Sequence, residues 1–217
     1  GKYDLMNDLM SFGLHRLWKE FAVQLAQLRK GDSVLDVAGG TGDLIKTFIK
    51  HIGPQGKAIL LDINAAMLNM GRDRLLNSGL TEINAIQANA ECLPFADASF
   101  DCLSIAFGLR NVTNKQTALQ SMFQVLKPRG GLTVVEFSKP TLRFLPTSYD
   151  GDSFAGFPQL VKWIANDEAS YRYLVESIRR HPDQKALRAL ILDSGFDECE
   201  YYNLSGGIVA LHRAWKF

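Results

Sequence analysis

Cysteine is scarce in this sequence, long apolar runs are missing, and neither sign of charge prevails. The three cysteines, Cys92, Cys102 and Cys199, form no Cys-x-x-Cys pair, so they indicate neither a disulfide framework nor a zinc site. No apolar run approaches the roughly 20 residues that cross a bilayer. The 24 basic and 23 acidic residues leave a net charge of +1, which gives no support to nucleic-acid binding. We therefore expect a cytoplasmic protein that binds no nucleic acid.

The composition is that of an ordinary globular chain. Apolar residues make up 47% of the sequence and charged residues 22%. Its 217 residues are close to the roughly 100–200 residues of one domain. We expect a single domain over residues 1–217, with an insertion at about 138–182. Four prolines mark this insertion: Pro140, Pro146, Pro158 and Pro182.

Strand-like and helix-like segments alternate from residue 30 to about 136. Short continuous apolar runs are typical of strands buried on both faces of a parallel sheet. Helical periodicity separates these runs, so the pattern predicts a doubly wound α/β sheet with right-handed crossovers. The five predicted strands are Ser33–Val37, Ala58–Ile63, Ile83–Gln87, Phe100–Phe107 and Gly131–Phe137.

The end of the chain has a different pattern. We predict that the insertion is helical and covers the carboxyl ends of the strands, where open α/β sheets bind ligands. A helix over Gln184–Ser194 and two strands, near Glu198–Asn203 and Ile208–Trp215, close the chain. Aromatic side chains of the insertion, among them Phe154 and Phe157, are expected to line an apolar groove.

A glycine-rich loop directly follows the first predicted strand. It runs from Asp36 to Asp43, and it opens a helix whose free N–H groups favour an anionic ligand group. A dinucleotide site is disfavoured because Ile45 stands where a small residue is needed and Asp43 would repel a pyrophosphate. S-adenosylmethionine brings a carboxylate and an ammonium, which suit a close-approach loop between two acids. A tight turn without a ligand is the alternative.

Three further positions follow predicted strands. Asp62 ends the second strand, where an acid can accept both hydroxyls of an adenosine ribose, although it could also serve as a turn or helix cap. Asn89 and Ala90 follow the third strand, where they can meet an adenine edge or form an ordinary loop. Arg110 follows the fourth strand, where it can act on a ligand or satisfy loop carbonyls.

Several motifs together resemble the ubiquinone/menaquinone biosynthesis C-methyltransferases. The resemblance covers nearly the whole chain. It implies a Rossmann-like class I S-adenosylmethionine-dependent methyltransferase fold, with seven strands and an antiparallel C-terminal hairpin. The motifs are YDLMNDLMSFGLHRLW (3–18), DVAGGTGDL (36–44), DIN (62–64), QANAE (87–91), FGLRNV (107–112), VLKPRGG (125–131), EFSKP (136–140), SYRYLVESIR (170–179), HPDQ (181–184) and YYNLSGGIVALHR (201–213).

The resemblance also implies site residues. The family usually has a serine before the FGLRN run and counts it as a cofactor contact; here that position is Ala106, so only a backbone contact can remain. The cofactor residues expected for S-adenosyl-L-methionine are Gly39, Gly40, Thr41, Asp62, Asn89, Ala90 and Ala106.

The implied reaction is C-methylation of a polyprenylated benzoquinol or of demethylmenaquinol. We expect Arg110 to stabilise a phenolate-like oxygen, Tyr3 to cover the cofactor, and His181 to be a candidate general base. No metal is expected, because an electron-rich ring and a charged methyl donor supply the reactivity.

Two alternatives to this function remain open at this point. The chain could be a non-catalytic cofactor-binding scaffold in a quinone-synthesising complex, or it could methylate another small phenol. The expected partners are the quinol, transiently the membrane surface at the inner face, other enzymes of quinone biosynthesis, and a second copy in a homodimer.

Overall fold

One mixed sheet of seven strands organises the protein, which was analysed as a computed structural model described for residues 14–80, 83–139 and 168–217. The strand order is β3-β2-β1-β4-β5-β7-β6. The strands are β1 (Ser33–Val37), β2 (Lys57–Asp62), β3 (Asn84–Gln87), β4 (Phe100–Ala106), β5 (Leu126–Phe137), β6 (Glu198–Leu204) and β7 (Val209–Trp215).

Six α-helices accompany these strands in the described ranges. Asn64, Asn114 and Asp183 each accept backbone N–H bonds as the N-cap of a helix, which explains where α3, α4 and α6 begin. The helices are α1 (Leu14–Ala26), α2 (Asp43–Ile52), α3 (Ala65–Leu76), α4 (Lys115–Val125), α5 (Glu168–Arg180) and α6 (Gln184–Asp193).

The first five strands are parallel to one another, and β7, inserted between β5 and β6, runs opposite to both of its neighbours. Strand β1 pairs in parallel with both β2 and β4, whereas β7 is antiparallel to β5 and to β6. This arrangement confirms the predicted fold class, including the antiparallel C-terminal hairpin. The five parallel strands end at one edge of the sheet, and the loops that leave this edge carry most of the expected site residues.

Alternating strand residues build a core on each face of the sheet. In β1, Val34 packs with α2 residues such as Phe48, whereas Leu35 packs with α4 residues such as Met122. A third cluster places Trp18 of α1 against the ends of β5 and β7. Burial on both faces is what the short apolar runs predicted.

Strand β5 is longer than the sequence pattern indicates. Pro128, Gly130 and Gly131 are residues that typically end a helix, so the sequence predicts a helix up to this point and a strand only over Gly131–Phe137. The helix instead ends at Val125, and β5 begins at once with Leu126. A shift in the pairing with β4, where Phe100 faces Leu126 and Cys102 faces Gly131, absorbs the extra residues.

Two expectations fall on residues that the structure does not describe. Tyr3 lies outside the described ranges, as do residues 140–167, which hold most of the expected insertion with Phe154 and Phe157. Within the described ranges, no helix combines the length and the apolar character that a membrane crossing requires.

A buried histidine in the hairpin makes the stability of the fold depend on pH. His212 of β7 is 1% exposed, and burial lowers its pKa to about 4. Its contribution to stability is therefore present above the ordinary histidine pKa of about 6.5 and is lost as the pH falls towards 4. From pH 7 to pH 5, this costs about 2 kcal/mol of unfolding free energy.

We predict that His212→Gln removes this component of the pH dependence. Urea unfolding at pH 7 and at pH 5 gives the unfolding free energy of the variant and of the wild type. The difference between the two proteins should change between these pH values by the amount that His212 contributes. His51→Gln, which alters an exposed histidine of α2, is the matched control and should leave the wild-type pH dependence in place. A His212→Gln protein that loses as much stability at pH 5 as the wild type would contradict the assignment.

Candidate active site at the carboxyl edge of the sheet

The glycine loop between β1 and α2 leaves little room for a side chain at Gly39 and at Gly42. A Cβ atom on Gly39 would clash with a methyl carbon of Leu60 and would lie 2.7 Å from Oδ2 of Asp36. Gly42, the N-cap of α2, has a φ of 77°, in the left-handed region that favours glycine. The loop therefore needs glycine for steric reasons at both positions, and its backbone can approach a ligand closely.

Asp36 is the buried acid before this loop. It is 1% exposed, and its Oδ1 accepts a hydrogen bond of 2.6 Å from the Ser104 hydroxyl in β4. Its Oδ2 is buried and has no hydrogen-bond partner among the described residues. Burial raises the pKa of Asp36 to about 7, against the opposing charge of Lys19. An unpartnered carboxylate oxygen of this kind fits a cationic ligand group.

Asp43, the acid at the other end of the loop, is already neutralised. Its carboxylate lies 3.1 Å from Nζ of Lys19 and 3.0 Å from an Nη of Arg74. The sequence suggested that a cofactor could use both acids. The structure leaves an unpartnered oxygen on Asp36, whereas Asp43 ties α2 to α1 and α3.

Asp62 ends β2 and faces the glycine loop. Its Oδ2 accepts the backbone N–H of Gly40 at 3.0 Å, and its Oδ1 accepts that of Asn64 at 2.8 Å. The turn alternative and the predicted position beside the loop are thus both present in one carboxylate, whereas the cap of α3 is Asn64. Each carboxylate oxygen can accept a further bond, so these contacts do not exclude ribose hydroxyls.

Ile63 is a site candidate that the sequence analysis missed. It directly follows Asp62, and 63% of its surface is exposed, the highest fraction for a large aliphatic side chain among the described residues. An exposed apolar side chain beside a polar ligand loop offers a surface for a flat aromatic ring. The DIN motif contained this position, but only its acid was considered.

The remaining expected cofactor residues lie on the loops that follow β1, β3 and β4. Asn89 is exposed, and its side chain accepts the backbone N–H of Glu91 at 3.0 Å, so the loop alternative for this residue is present. Ala90 and Thr41 are buried, and Ala106 is half-buried at the end of β4. The parallel arrangement brings these positions to the edge where Asp36 and Asp62 lie.

Arg110 lies in a short 3-10 turn after β4 and is paired with an acid that the sequence analysis did not single out. Nη1 of Arg110 lies 2.8 Å from Oε1 of Glu136, and its backbone N–H donates to Oε2 of Glu136 at 3.1 Å. Nη1 also donates to the carbonyl of Phe107, so Arg110 does satisfy a loop carbonyl. Its Nε is buried and has no partner among the described residues. A charged residue in the otherwise apolar end of β5 is the signal that could have identified Glu136.

His181 adds an uncharged base to the surroundings of this ion pair. The residue is 4% exposed, and neither ring nitrogen has a hydrogen-bond partner among the described residues. Burial lowers the pKa of His181 to about 4; Glu136 acts to raise this pKa, and Lys115 and Arg110 act to lower it. The imidazole is therefore neutral at pH 7, with a lone pair available to accept a proton.

The fold and the site define a class of protein, the class I methyltransferases. Solved structures share this fold: an SAM-dependent methyltransferase from Aquifex aeolicus has a TM-score of 0.69 at 18% identity, with 92% of this chain and 89% of that chain covered. A second, described as a possible histamine N-methyltransferase from Thermotoga maritima, has a TM-score of 0.63 at 21% identity over 98% of this chain and 96% of that chain.

The chain belongs to the ubiE/COQ5 methyltransferase family, whose sequence model matches residues 1–216. It is 57% identical to the ubiquinone/menaquinone biosynthesis C-methyltransferase UbiE of Pectobacterium atrosepticum and to that of Salmonella newport, over all of this chain and 86% of each relative. The resemblance seen in the sequence motifs and the prediction of a methyltransferase are both confirmed.

Asp36 is expected to reduce stability at high pH in the absence of a cationic ligand. Its folded-state pKa is raised, so its stabilising contribution is complete below the ordinary pKa of 3.8 and is lost as the pH rises through about 7. We predict that Asp36→Asn raises the unfolding free energy at pH 8 by on the order of 2–4 kcal/mol. Chemical denaturation without added cofactor measures this effect.

Asp43→Asn is the matched control, because the Asp43 carboxylate already has two cationic partners. This change should leave stability unchanged or slightly lower it. If Asp36→Asn were less stable than the wild type at pH 8, the carboxylate of Asp36 would be fully satisfied in the fold, and its assignment to a ligand would be wrong.

Proposed function

We propose that this chain, as a single domain, transfers a methyl group from S-adenosyl-L-methionine to a ring carbon of a polyprenylated benzoquinol, demethylmenaquinol, or both. The observation that carries the proposal is the 57% identity, over the whole chain, to proteins named ubiquinone/menaquinone biosynthesis C-methyltransferases. The intact site favours an enzyme over a non-catalytic scaffold, because the charged and uncharged groups that methylation needs are all present.

S-adenosyl-L-methionine fits the residues at the carboxyl edge. When bound, it supplies an electrophilic methyl group on a positively charged sulfur. The unpartnered Oδ2 of Asp36 suits its ammonium group, and Asp62 suits the ribose hydroxyls. Ile63 and Ala90 suit the faces and edge of the adenine. The other residues assigned to this cofactor are Gly39, Gly40, Thr41, Asn89 and, through its backbone, Ala106.

Arg110 and His181 are assigned to the quinol. The ring carbon becomes nucleophilic when a neighbouring hydroxyl loses its proton, and the neutral imidazole of His181 can accept that proton. The guanidinium of Arg110, with its Nε still available, stabilises the negative oxygen that remains. The bound cofactor would supply the methyl group to the ring carbon. The ring proton would leave to water, and His181 would return its proton to the ring oxygen held by Arg110, which restores the aromatic quinol.

Tyr3 remains a proposed cover of the cofactor. The proposed location is the cytoplasm, with transient contact at the inner face of the membrane, because a polyprenyl tail partitions into lipid. Association with other enzymes of quinone biosynthesis and formation of a homodimer are further proposals about its partners.

Product analysis tests the proposed reaction directly. The purified protein is incubated with S-adenosyl-L-methionine and, separately, with a reduced benzoquinone and with demethylmenaquinol, each carrying a short prenyl tail. The expected product of at least one reaction is heavier by one methylene unit, with the new methyl on carbon. Methylation of neither quinol, by a protein that still binds the cofactor in calorimetry, would favour the scaffold.

Asp62→Ala is predicted to weaken S-adenosyl-L-methionine binding. Loss of a charged acceptor for the ribose hydroxyls costs about 1.5–3 kcal/mol, or roughly 10- to 150-fold in Kd. Calorimetric titration measures the loss. Asn64→Ala is the control, because it removes the N-cap of α3 but not the carboxylate. It should lower stability by about 1 kcal/mol with little change in Kd. Equal Kd losses in both variants would make Asp62 a structural residue.

Arg110→Lys is predicted to lower kcat at least about tenfold while the Kd for S-adenosyl-L-methionine stays unchanged. Lysine keeps a charge that can pair with Glu136, but it cannot hold Glu136, the Phe107 carbonyl and a substrate oxygen with a planar fork of donors. Steady-state kinetics and calorimetry measure the two constants. An unchanged kcat would remove Arg110 from the catalytic step.

A further inference from the structure

Glu136 is a buried charge that the steps above do not use. Both the residue and its side chain are 1% exposed, and it lies one residue before the end of β5, after the apolar Val134 and Val135. Its carboxylate accepts three hydrogen bonds, two from Arg110 and one, of 2.9 Å, from the backbone N–H of Phe137.

Stability alone gives a poor reason for this arrangement. Removing two charges from water is costly, and a buried ion pair is often no more stabilising than apolar side chains of the same volume. The neighbouring strand positions show that apolar residues fit here. A buried pair at the ligand edge of the sheet therefore points to a role in the chemistry of Arg110.

Two of these hydrogen bonds fix the orientation of Arg110, and the third, from Phe137, holds the Glu136 carboxylate in place. The bond to its backbone N–H holds the turn Leu109–Asn111, and the bond to Nη1 holds the guanidinium. The ring of Phe137 supports the same group, with its centroid 5.3 Å from Cζ of Arg110. What remains is a buried Nε without a partner in the described part of the chain. The Nε donor is thus without a protein partner in the described ranges, while Nη1 is anchored to Glu136 and to the carbonyl of Phe107.

Glu136 also supplies negative charge among cationic and neutral groups. Arg110 is its partner on the 3-10 turn, and Lys115 at the start of α4 interacts with it electrostatically. His181, after α5, responds to Glu136, Arg110, Lys115 and His212 of β7. The carboxylate therefore reduces the positive charge that Arg110 presents to this region.

We propose that Glu136 is a positioning residue for methyl transfer, which orients Arg110 with its Nε donor free and sets how much positive charge reaches the quinol oxygen. The inference rests on the proposed assignment of Arg110 to the quinol. It predicts that Glu136 affects turnover and the ionisation of a bound phenol, but not the binding of S-adenosyl-L-methionine.

Glu136→Gln is the main test, because it keeps the shape of the side chain and removes its charge. We expect kcat to fall about tenfold, since the glutamine NH₂ cannot accept the N–H of Arg110 and the guanidinium loses its orientation. The Kd for S-adenosyl-L-methionine should stay within twofold of the wild type. The Arg110 charge, no longer neutralised, should lower the pKa of a bound nitrophenol by about one unit. The visible absorption of the nitrophenolate reports this pKa.

Two further variants separate the charge from the orientation. Glu136→Asp keeps the charge but withdraws the carboxylate by one methylene, so kcat should fall while the pKa of the bound nitrophenol stays near the wild-type value. Asp101→Asn breaks a half-exposed pair with Lys127 near the opposite end of β4, where Asp101 lies 2.7 Å from Nζ, and should change neither readout.

The possible outcomes are distinct. Wild-type kcat and an unchanged nitrophenol pKa in Glu136→Gln would overturn the inference. A fall in kcat with lower melting temperature but no shift of the nitrophenol pKa would also overturn it, because a purely structural role predicts that result. If Glu136→Gln fails to fold, wild-type kcat in Glu136→Asp overturns it. An unchanged kcat in Arg110→Lys would overturn the assignment of Arg110 to the quinol and this inference with it, whereas methylation of neither quinol by the wild type would overturn the proposed function.

Discussion

Buried charge at the carboxyl edge of the parallel sheet is the constraint on which the rest of the site depends. Asp36, Asp62 and Glu136 each occupy the last or second-last position of a strand, and none is more than 8% exposed. Carboxylates at this depth need hydrogen bonds or opposite charge, so the following loops fold around them. The amide of Gly40 donates to Asp62 and the turn at Arg110 donates to Glu136, which fixes the backbone that surrounds the ligand positions.

Features that depend on neighbouring residues could be predicted from the sequence. The predicted bounds of β1, Ser33–Val37, are those of the structure, because a short apolar run before a glycine loop has few alternatives. The position of Asp62 beside that loop follows from the same logic, since parallel strands end at one edge. In these segments local propensity and packing favour the same structure, so the sheet and half of the candidate site could be anticipated.

Pairing between distant side chains could not be read from the sequence. Ser104 and Asp36 are 68 residues apart, and their hydrogen bond depends on the register of β1 with β4. Glu136 and Arg110 are 26 residues apart and meet because β4 and β5 are neighbours. Asn89 shows the opposite difficulty: its position suggested a ligand contact, but its short side chain also bonds the backbone two residues on, a local competition that a motif does not reveal.

Burial of Asp36 and His181 affects the stability of the fold and the proposed chemistry in different ways. Asp36 is easiest to bury when it is protonated, and its carboxylate therefore lowers stability above pH 7. A cationic ligand group favours the ionised form, so the same carboxylate becomes favourable once a cation neutralises it. His181 is easiest to bury when neutral, which is also the form that can accept a proton. The fold therefore disfavours the ionised form of the acid, and it favours the neutral form of the base while disfavouring the imidazolium that forms when His181 accepts a proton. It follows that the contact with Asp36 should contribute the most to the stability that the protein gains when a ligand binds.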